Sequence, residues 1–332
     1  MVKVNLTASF DWIEFTVQQE SLESVITVIL KLTEGEFKDL PSGRFGYSHQ
    51  RKWGEGNVFI LFNKDHGVDD NMGIHVIITG TGCREYEQVR ALQDLIDYLI
   101  VDVKTNKFTR IDLAIDDHED KIINYDRIHN AAISGNFTSR WNKWDELNSR
   151  RCTDGSFVGR AMYFGSQKSD IFVRIYDKRL ERNVNGKPDV QSSDWTRLEI
   201  VYKKARAQML AEYLCDHKDV GLTIRETLNN YIRFVTPSVD SNKARWKTAI
   251  WWSNLLGDVG KLKLTIQPLD RTIDQMATWL DKQIAPTMAA VMSAHDGDIT
   301  WLYKSIVQGK QRLRNKHKDA IHQYQIKEDT HG

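Results

Sequence analysis

The chain has 332 residues, enough for one large domain or two ordinary ones, and its 41% apolar and 27% charged residues are the balance of a soluble globular fold. No apolar run reaches the length of a membrane span, the start MVKVNLTASFDWIEF lacks the pattern of a secretion signal, and the three cysteines, Cys83, Cys152 and Cys215, form no CxxC pair. A membrane protein, a disulfide frame and a zinc knuckle are thereby set aside, and a reduced, cytoplasmic protein is the expectation.

The first element in chain order is a strand, Phe10 to Val17, where apolar and polar residues alternate. Leu22, Val25, Ile26, Ile29 and Leu30 then recur at helical spacing. Three strands are expected over Arg44 to His49, Val58 to Phe62 and Ile74 to Thr79. Tyr86, Val89, Leu92, Leu95, Ile96 and Ile100 make one helical stripe. The same order then repeats. Phe108 to Asp116 reads as a strand and Asn124 to Ile133 as a helix. Arg160 to Phe164, Ile171 to Tyr176 and Thr196 to Tyr202 read as strands, and Ala205 to Leu214 as a helix.

The pattern therefore predicts an α+β fold of two similar β-α-β-β-β-α units, with mainly antiparallel sheets and helices against one face. Trp141 and Trp144 fall in an expected loop insertion before Arg160. Asn185, Gly186 and Pro188 mark a second loop over Arg182 to Ser193. Beyond about Asp240 the pattern turns helical, most clearly over Thr272 to Ile284 and Ile299 to Lys318. Asp270 or Thr272 would cap the first of these and Pro286 would end or kink it. The expected domains are 1–105, a catalytic unit 106–240, and a C-terminal helical region 241–332 with a basic tail.

Net charge is only +1, which argues against a simple nucleic-acid coat, but positive charge is clustered. Gln167 to Lys187 carries Lys168, Arg174, Lys178, Arg179, Arg182 and Lys187 against three acids. The tail from Trp301 is also basic. Local basic surface is what phosphate binding requires, although a lysine-rich tail is as readily a solvated one. Trp246, Trp251 and Trp252 could stack on unpaired bases, but a helical core packed on the sheet is the better reading.

Three expected strands share one arrangement: Arg110-Ile111-Asp112, Arg174-Ile175-Tyr176 and Arg197-Leu198-Glu199. Alternate strand residues face the same side. Each triplet thus puts an arginine and one reactive group on a polar face and an aliphatic residue in the core. Were the strands neighbours, Asp112, Tyr176 and Glu199 would converge among three guanidinium groups. That set suits phosphodiester transesterification. A free tyrosine, with a pKa of about 10, is a poor nucleophile at neutral pH. Arg174, Lys178 or a divalent cation would favour its phenolate, and carboxylates can hold Mg²⁺ or Mn²⁺ through hard oxygens. Asp116 lies on the same face as Asp112 but roughly 13 Å further on at about 3.3 Å per residue. Either a bulge intervenes or only one of the two is a ligand, with Asp112 preferred. Arg–Asp and Arg–Glu pairs across strands are also common for structural reasons alone.

Tyr163-Phe164-Gly165-Ser166-Gln167-Lys168-Ser169, followed by Phe172-Val173-Arg174-Ile175-Tyr176-Asp177-Lys178 and Glu181, resembles the active-site signature of the Rep_trans family. That family includes plasmid rolling-circle initiators and MobT-type relaxases of Gram-positive integrative elements. Asp11-Trp12, Gly80-Thr81-Gly82-Cys83-Arg84, Arg110 to Asp116 and Arg197-Leu198-Glu199-Ile200 extend the resemblance over residues 10–215, and more weakly to Pro286. It implies nicking and rejoining of one DNA strand at an origin through a 5′-phosphotyrosine on Tyr176, initiating rolling-circle replication. Arg174 and Lys178 would assist. Lys168, Arg110, Arg197, Arg179, Tyr163 and Ser166 would contact DNA. A divalent metal would sit on Asp112 and Glu199, with Asp116 the second choice. No His-x-His pair occurs, which fits an acidic metal site. A homodimer is implied, and, since no GxxxxGK[ST] sequence occurs, a host helicase as partner. The rival readings are a conjugative relaxase of the same chemistry, a non-catalytic origin-binding protein, and a metal-dependent nuclease that uses water.

Overall fold

The structure, a computed structural model, describes residues 6–54, 57–63, 71–184, 194–260 and 273–313, with 317–318, 320–322 and 324–325. Twelve strands occur among them: β1 (Leu6–Val17), β2 (Phe37–Asp39), β3 (His49–Trp53), β4 (Val58–Phe62), β5 (Ile74–Ile78), β6 (Asn106–Asp117), β7 (Phe137–Ser139), β8 (Trp144–Arg150), β9 (Phe157–Phe164), β10 (Ile171–Asp177), β11 (Thr196–Lys203) and β12 (Ile232–Phe234). Ten of them form one sheet in the order β2-β3-β4-β5-β1-β6-β11-β10-β9-β8, and β7 pairs with β12 separately.

That order is a pseudo-twofold arrangement. β1 and β6 lie side by side and antiparallel at the centre. On one flank the chain meanders inward through β2 to β5, and on the other through β8 to β11. The expected duplication is present, with one more strand in each half. The edge strand β8 occupies the stretch expected to be a loop at Trp144. Its seven residues are mostly exposed and polar, so apolar alternation could not reveal it. β3 begins at His49, whereas Arg44 to Ser48 is loop. The stripe from Tyr86 to Ile100 is two helices, Gly80–Tyr86 and Leu92–Asp102, broken between them.

The core lies on one face of the sheet. Ile13, Phe15 and Val17 of β1, Ile111, Leu113 and Ile115 of β6, and Val173 and Ile175 of β10 point into it. They pack against Leu95, Ile96 and Leu99 of one helix, Ile128 of Tyr125–Ile133, and Leu210 and Leu214 of Ala205–His217. Asn124 caps its helix, its side chain accepting from the backbone N–H of Arg127 at 2.8 Å. Trp252 is 1% exposed and sets its ring edge-on against Phe234, so the core reading holds for it.

Both central strands change phase. In β1 the core residues run Leu6, Ala8, Phe10 and then Ile13, Phe15, Val17. The shift is a bulge: Phe10 opposes Leu113, Trp12 opposes Asp112, and Asp11 is the extra residue. It turns Asp11 out of the regular ladder, towards the face opposite the core.

By internal contacts the chain divides into Met1–Gln267 and Pro268–Gly332. The second unit contains the helices Ile273–Trp279, Ala285–Ala294 and Thr300–Lys310, with Pro286 in the first turn of the middle one. The possible caps Asp270 and Thr272, and the expected loop residues 185–193, lie outside the described residues. Among the described residues no helix is long and apolar enough to cross a membrane.

Candidate active site

Register decides what meets on the polar face. β10 and β11 pair so that Arg174 faces Glu199 and Tyr176 faces Arg197. β11 and β6 pair so that Arg197 faces Asp116 and Glu199 faces Ala114. The three triplets are neighbours as the sequence suggests, but the β6 triplet is slid along. Asp112 faces Val201, two residues beyond Glu199, roughly 7 Å along the strand. β6 runs without a bulge from Asp112 to Asp116 against β11, so the two carboxylates stay apart.

Tyr176 donates its hydroxyl hydrogen to Oε1 of Glu199. The other oxygen of Glu199 accepts from Arg174, whose Nε lies 2.9 Å away. Lys178 Nζ donates to the phenol oxygen at 3.3 Å and to Glu181 at 2.7 Å. Lys178 opens the helix Lys178–Val184 just past the end of β10, and its side chain returns to Tyr176. Arg174 also stands over the tyrosine ring, its guanidinium carbon 4.7 Å from the centroid.

Arg197 is 1% exposed and joins two halves of the site. Its Nε and Nη2 bind Asp116 at 2.7 and 2.8 Å, and its Nη1 reaches Asp11 of the β1 bulge at 2.6 Å. Trp195 donates to Asp116 at 2.7 Å, and Arg84 stands 3.7 Å from Asp11. Arg110 grips both oxygens of Asp112, at 2.9 and 2.6 Å, and lies over the ring of Trp12.

The electrostatics follow from burial among these cations. Burial and the Asp11 charge push the Glu199 carboxyl up to about 7, against the pull of Arg174 and Arg197. Burial would raise Asp11 too, but Arg197, Lys178 and Arg84 hold it below the ordinary carboxylate value. Burial of Asp116 is likewise outweighed by Arg197, which brings it down to about 2. Burial lifts Asp112 to about 6 despite Arg110. Burial and the Glu199 charge hold Tyr176 well above the ordinary phenol value, while burial and Arg197 push Lys178 down. The site is a phenol hydrogen-bonded to a carboxyl group that titrates near neutrality, next to an ammonium group whose hold on its proton is weakened by burial and Arg197.

Residues 106–309 match the Rep_trans family, described as replication initiation factor, and residues 7–95 match the N-terminal domain of rolling-circle replication initiation proteins. The chain belongs to the Rep_trans family. It is 30% identical over 330 residues to the putative DNA relaxase NicK of Bacillus subtilis (strain 168), covering 97% of this chain and 91% of that one. A replication initiation protein of Staphylococcus aureus is 26% identical over 203 residues, 60% of this chain and 58% of the other. The solved structure of a rolling-circle replication initiator from Geobacillus stearothermophilus superposes with a TM-score of 0.70 at 32% identity, over 79% of this chain and all of that one.

Of the Rep_trans residues expected from sequence, the fold brings together Tyr176, Arg174, Lys178, Arg197, Glu199 and Asp116. Arg110 and Asp112 form a separate pair further along the same face. Tyr163 faces Arg174 across β9 and β10. Lys168 and Ser166 lie in the turn between those strands, where the Ser166 hydroxyl accepts from the Lys168 backbone at 3.2 Å. Arg179 stands 3.6 Å from Asp177. Gly165 has φ +92 and packs on Trp141, so its glycine serves the turn. Two site residues have no assigned role at the level of sequence, Asp11 and Trp195. The signal for Asp11 is present in the chain as the change of phase between Phe10 and Ile13. Trp195 carries no comparable signal.

For a metal, the side chains divide. Among the described residues no three Asp, Glu, His or Cys side chains gather as a metal site. Asp116 does not fit: Arg197 takes both of its oxygens and Trp195 shares one. Asp112 is likewise gripped by Arg110 on both. Glu199 is also taken on both oxygens, by Tyr176 and by Arg174. Asp11 differs in meeting its arginines through one oxygen, Oδ1, with Arg197 at 2.6 Å and Arg84 at 3.7 Å, and a single carboxylate does not make a site for Mg²⁺ or Mn²⁺.

Proposed function

We propose that this protein nicks and rejoins one strand of DNA at an origin through a covalent 5′-phosphotyrosine on Tyr176, and so starts rolling-circle replication. The observation that carries the reading is the hydrogen bond from the Tyr176 hydroxyl to Glu199. It supplies a base at the oxygen that must become the nucleophile.

The step balances as follows. The Tyr176 oxygen attacks the scissile phosphorus and its proton passes to Glu199 Oε1. The bond from phosphorus to the 3′ oxygen breaks, and that oxygen takes a proton from Lys178, leaving a free 3′-OH to prime synthesis. Arg174 and Arg197 carry positive charge beside the phosphate as charge builds on its oxygens. Rejoining is the reverse. We also propose the homodimer and the host helicase that the family reading implies; the chain carries no GxxxxGK[ST] sequence for a motor of its own.

A second reading, a conjugative relaxase of the same chemistry, is favoured by one observation. The putative relaxase matches 97% of this chain, against 79% for the Geobacillus stearothermophilus initiator, whose own solved chain is matched in full.

The test is incubation with labelled single-stranded origin DNA and Mg²⁺ or Mn²⁺. Wild type is expected to yield a protein–DNA adduct that survives denaturation, and Tyr176→Phe none. An adduct with Tyr176→Phe removes the nucleophile assignment. Cleavage without any adduct points to a water-using nuclease, and binding without cleavage to a non-catalytic origin-binding protein.

A further inference from the structure

A cavity of about 250 Å³ opens beside Tyr176, between β8, β9 and the helix Lys178–Val184. Its walls divide by chemistry. Leu147, Val158 and Ala161 form an apolar slot, Tyr163 lines it, and Arg174, Tyr176 and the partly exposed Glu181 bring polar groups to it. The register explains the arrangement: Leu147 faces Ala161 across β8 and β9, and Ala161 faces Tyr176 across β9 and β10. The apolar slot therefore sits one strand away from the nucleophile, on the same face.

We propose that this cavity receives one unpaired nucleobase adjoining the scissile phosphate, stacked on Tyr163, and that it reads the base at that position. The proposal rests on the nicking reading. Size agrees, because the volume is below the roughly 300–1,000 Å³ of a drug-sized site and suits a single planar heterocycle. Chemistry agrees as well. An apolar slot with an aromatic wall holds any base by its faces. The Glu181 carboxylate adds an acceptor, which favours a base carrying an exocyclic amino group over thymine. Charge agrees too, since Arg174 and Lys178 stand where the phosphate of that nucleotide must lie if Tyr176 is to attack it. A base anchored here would hold its phosphate in line with the tyrosine.

The test needs no known origin. The full-length protein is incubated with single-stranded oligonucleotides of random sequence and Mn²⁺, covalent adducts are isolated, and their DNA is sequenced. Wild type is expected to show thymine depleted roughly tenfold at one position next to the cut. Leu147→Trp, at a half-exposed site on the edge strand, fills the slot without touching the core. It should slow adduct formation, because the base no longer anchors its phosphate, and flatten the preference at that one position among the adducts that do form. Ala161→Leu should do the same from the opposite wall, and if that variant does not fold, Leu147→Trp decides alone. Wild-type adducts with no preference next to the cut overturn the pocket, as does a preference that survives the filled slot. In both cases nicking stands. Absence of any wild-type adduct removes the nicking reading, and the pocket falls with it.

Discussion

Asp116 shows how an acid in an expected metal set can turn out to be structural. It is buried, and its carboxylate is held by Arg197 and Trp195. Removing the Asp116 charge leaves the buried Arg197 with Asp11 as its remaining close ion partner, so Asp116→Asn should cost about 3 kcal/mol at neutral pH. The pH dependence has a definite sign. The folded-state value of about 2 lies below the ordinary 3.8, so the stabilisation is present above pH 4 and is lost as pH falls towards 2. That difference amounts to about 2 kcal/mol. The gap between wild type and Asp116→Asn in urea unfolding should therefore narrow as the pH drops from 4 towards 2. A gap independent of pH would mean that Asp116 is not held as an ion. Residue types on the polar strand faces were legible in the sequence, because period-two alternation marks Arg174, Tyr176, Arg197 and Glu199. Which acid meets which arginine was not, because that depends on how far β6 slides against β11, and alternation is blind to a shift of two residues.

At the scale of elements, turns and bulges set how strands pair. The turn between β9 and β10 fixes the pairing of Tyr163 with Arg174. It depends on Gly165, whose φ of +92 is one that side-chain-bearing residues rarely adopt and whose added Cβ would lie 2.7 Å from the Trp141 indole. Gly165→Ala should therefore destabilise the protein by more than about 1 kcal/mol and slow adduct formation, because the β9 wall would move relative to Tyr176. Trp141→Ala in the same background should recover part of the lost stability by removing the clash. If Gly165→Ala melts like wild type, the turn does not set the register. Helices with buried stripes and strands with core-facing alternation were legible. The edge strand β8 was not, since neither of its faces is buried and its sequence, WDELNSR, carries no periodic apolar signal. Charged and polar residues on an edge also discourage pairing with a second sheet, so the same property that hid the strand protects it.

At the scale of the molecule, two repeated halves make one sheet and one core. β1 and β6 form the seam, and core residues from both halves belong to one continuous cluster. Across the seam Phe15 and Phe108 place their ring centroids 5.9 Å apart. The Asp11–Arg197 bond joins residues 186 positions apart and completes the active site with an acid from the first half. Sequence periodicity suggests separate units at 1–105 and 106–240. A continuous core instead argues that the two halves unfold together. Phe15→Ala removes a fully buried ring from the first half and should cost about 3–5 kcal/mol. Native-state hydrogen exchange read by mass spectrometry can follow peptides covering Val58–Phe62 and Thr196–Lys203. Under one cooperative transition, both should lose protection by the same factor in Phe15→Ala, although the second peptide lies entirely in the other half. Loss confined to the first half would mean that the halves are independent domains that only share a site. Coupled loss would mean that the seam ties the integrity of the strand carrying Arg197 and Glu199 to a half that contributes Asp11, its bulge and the neighbouring Arg84 to the site.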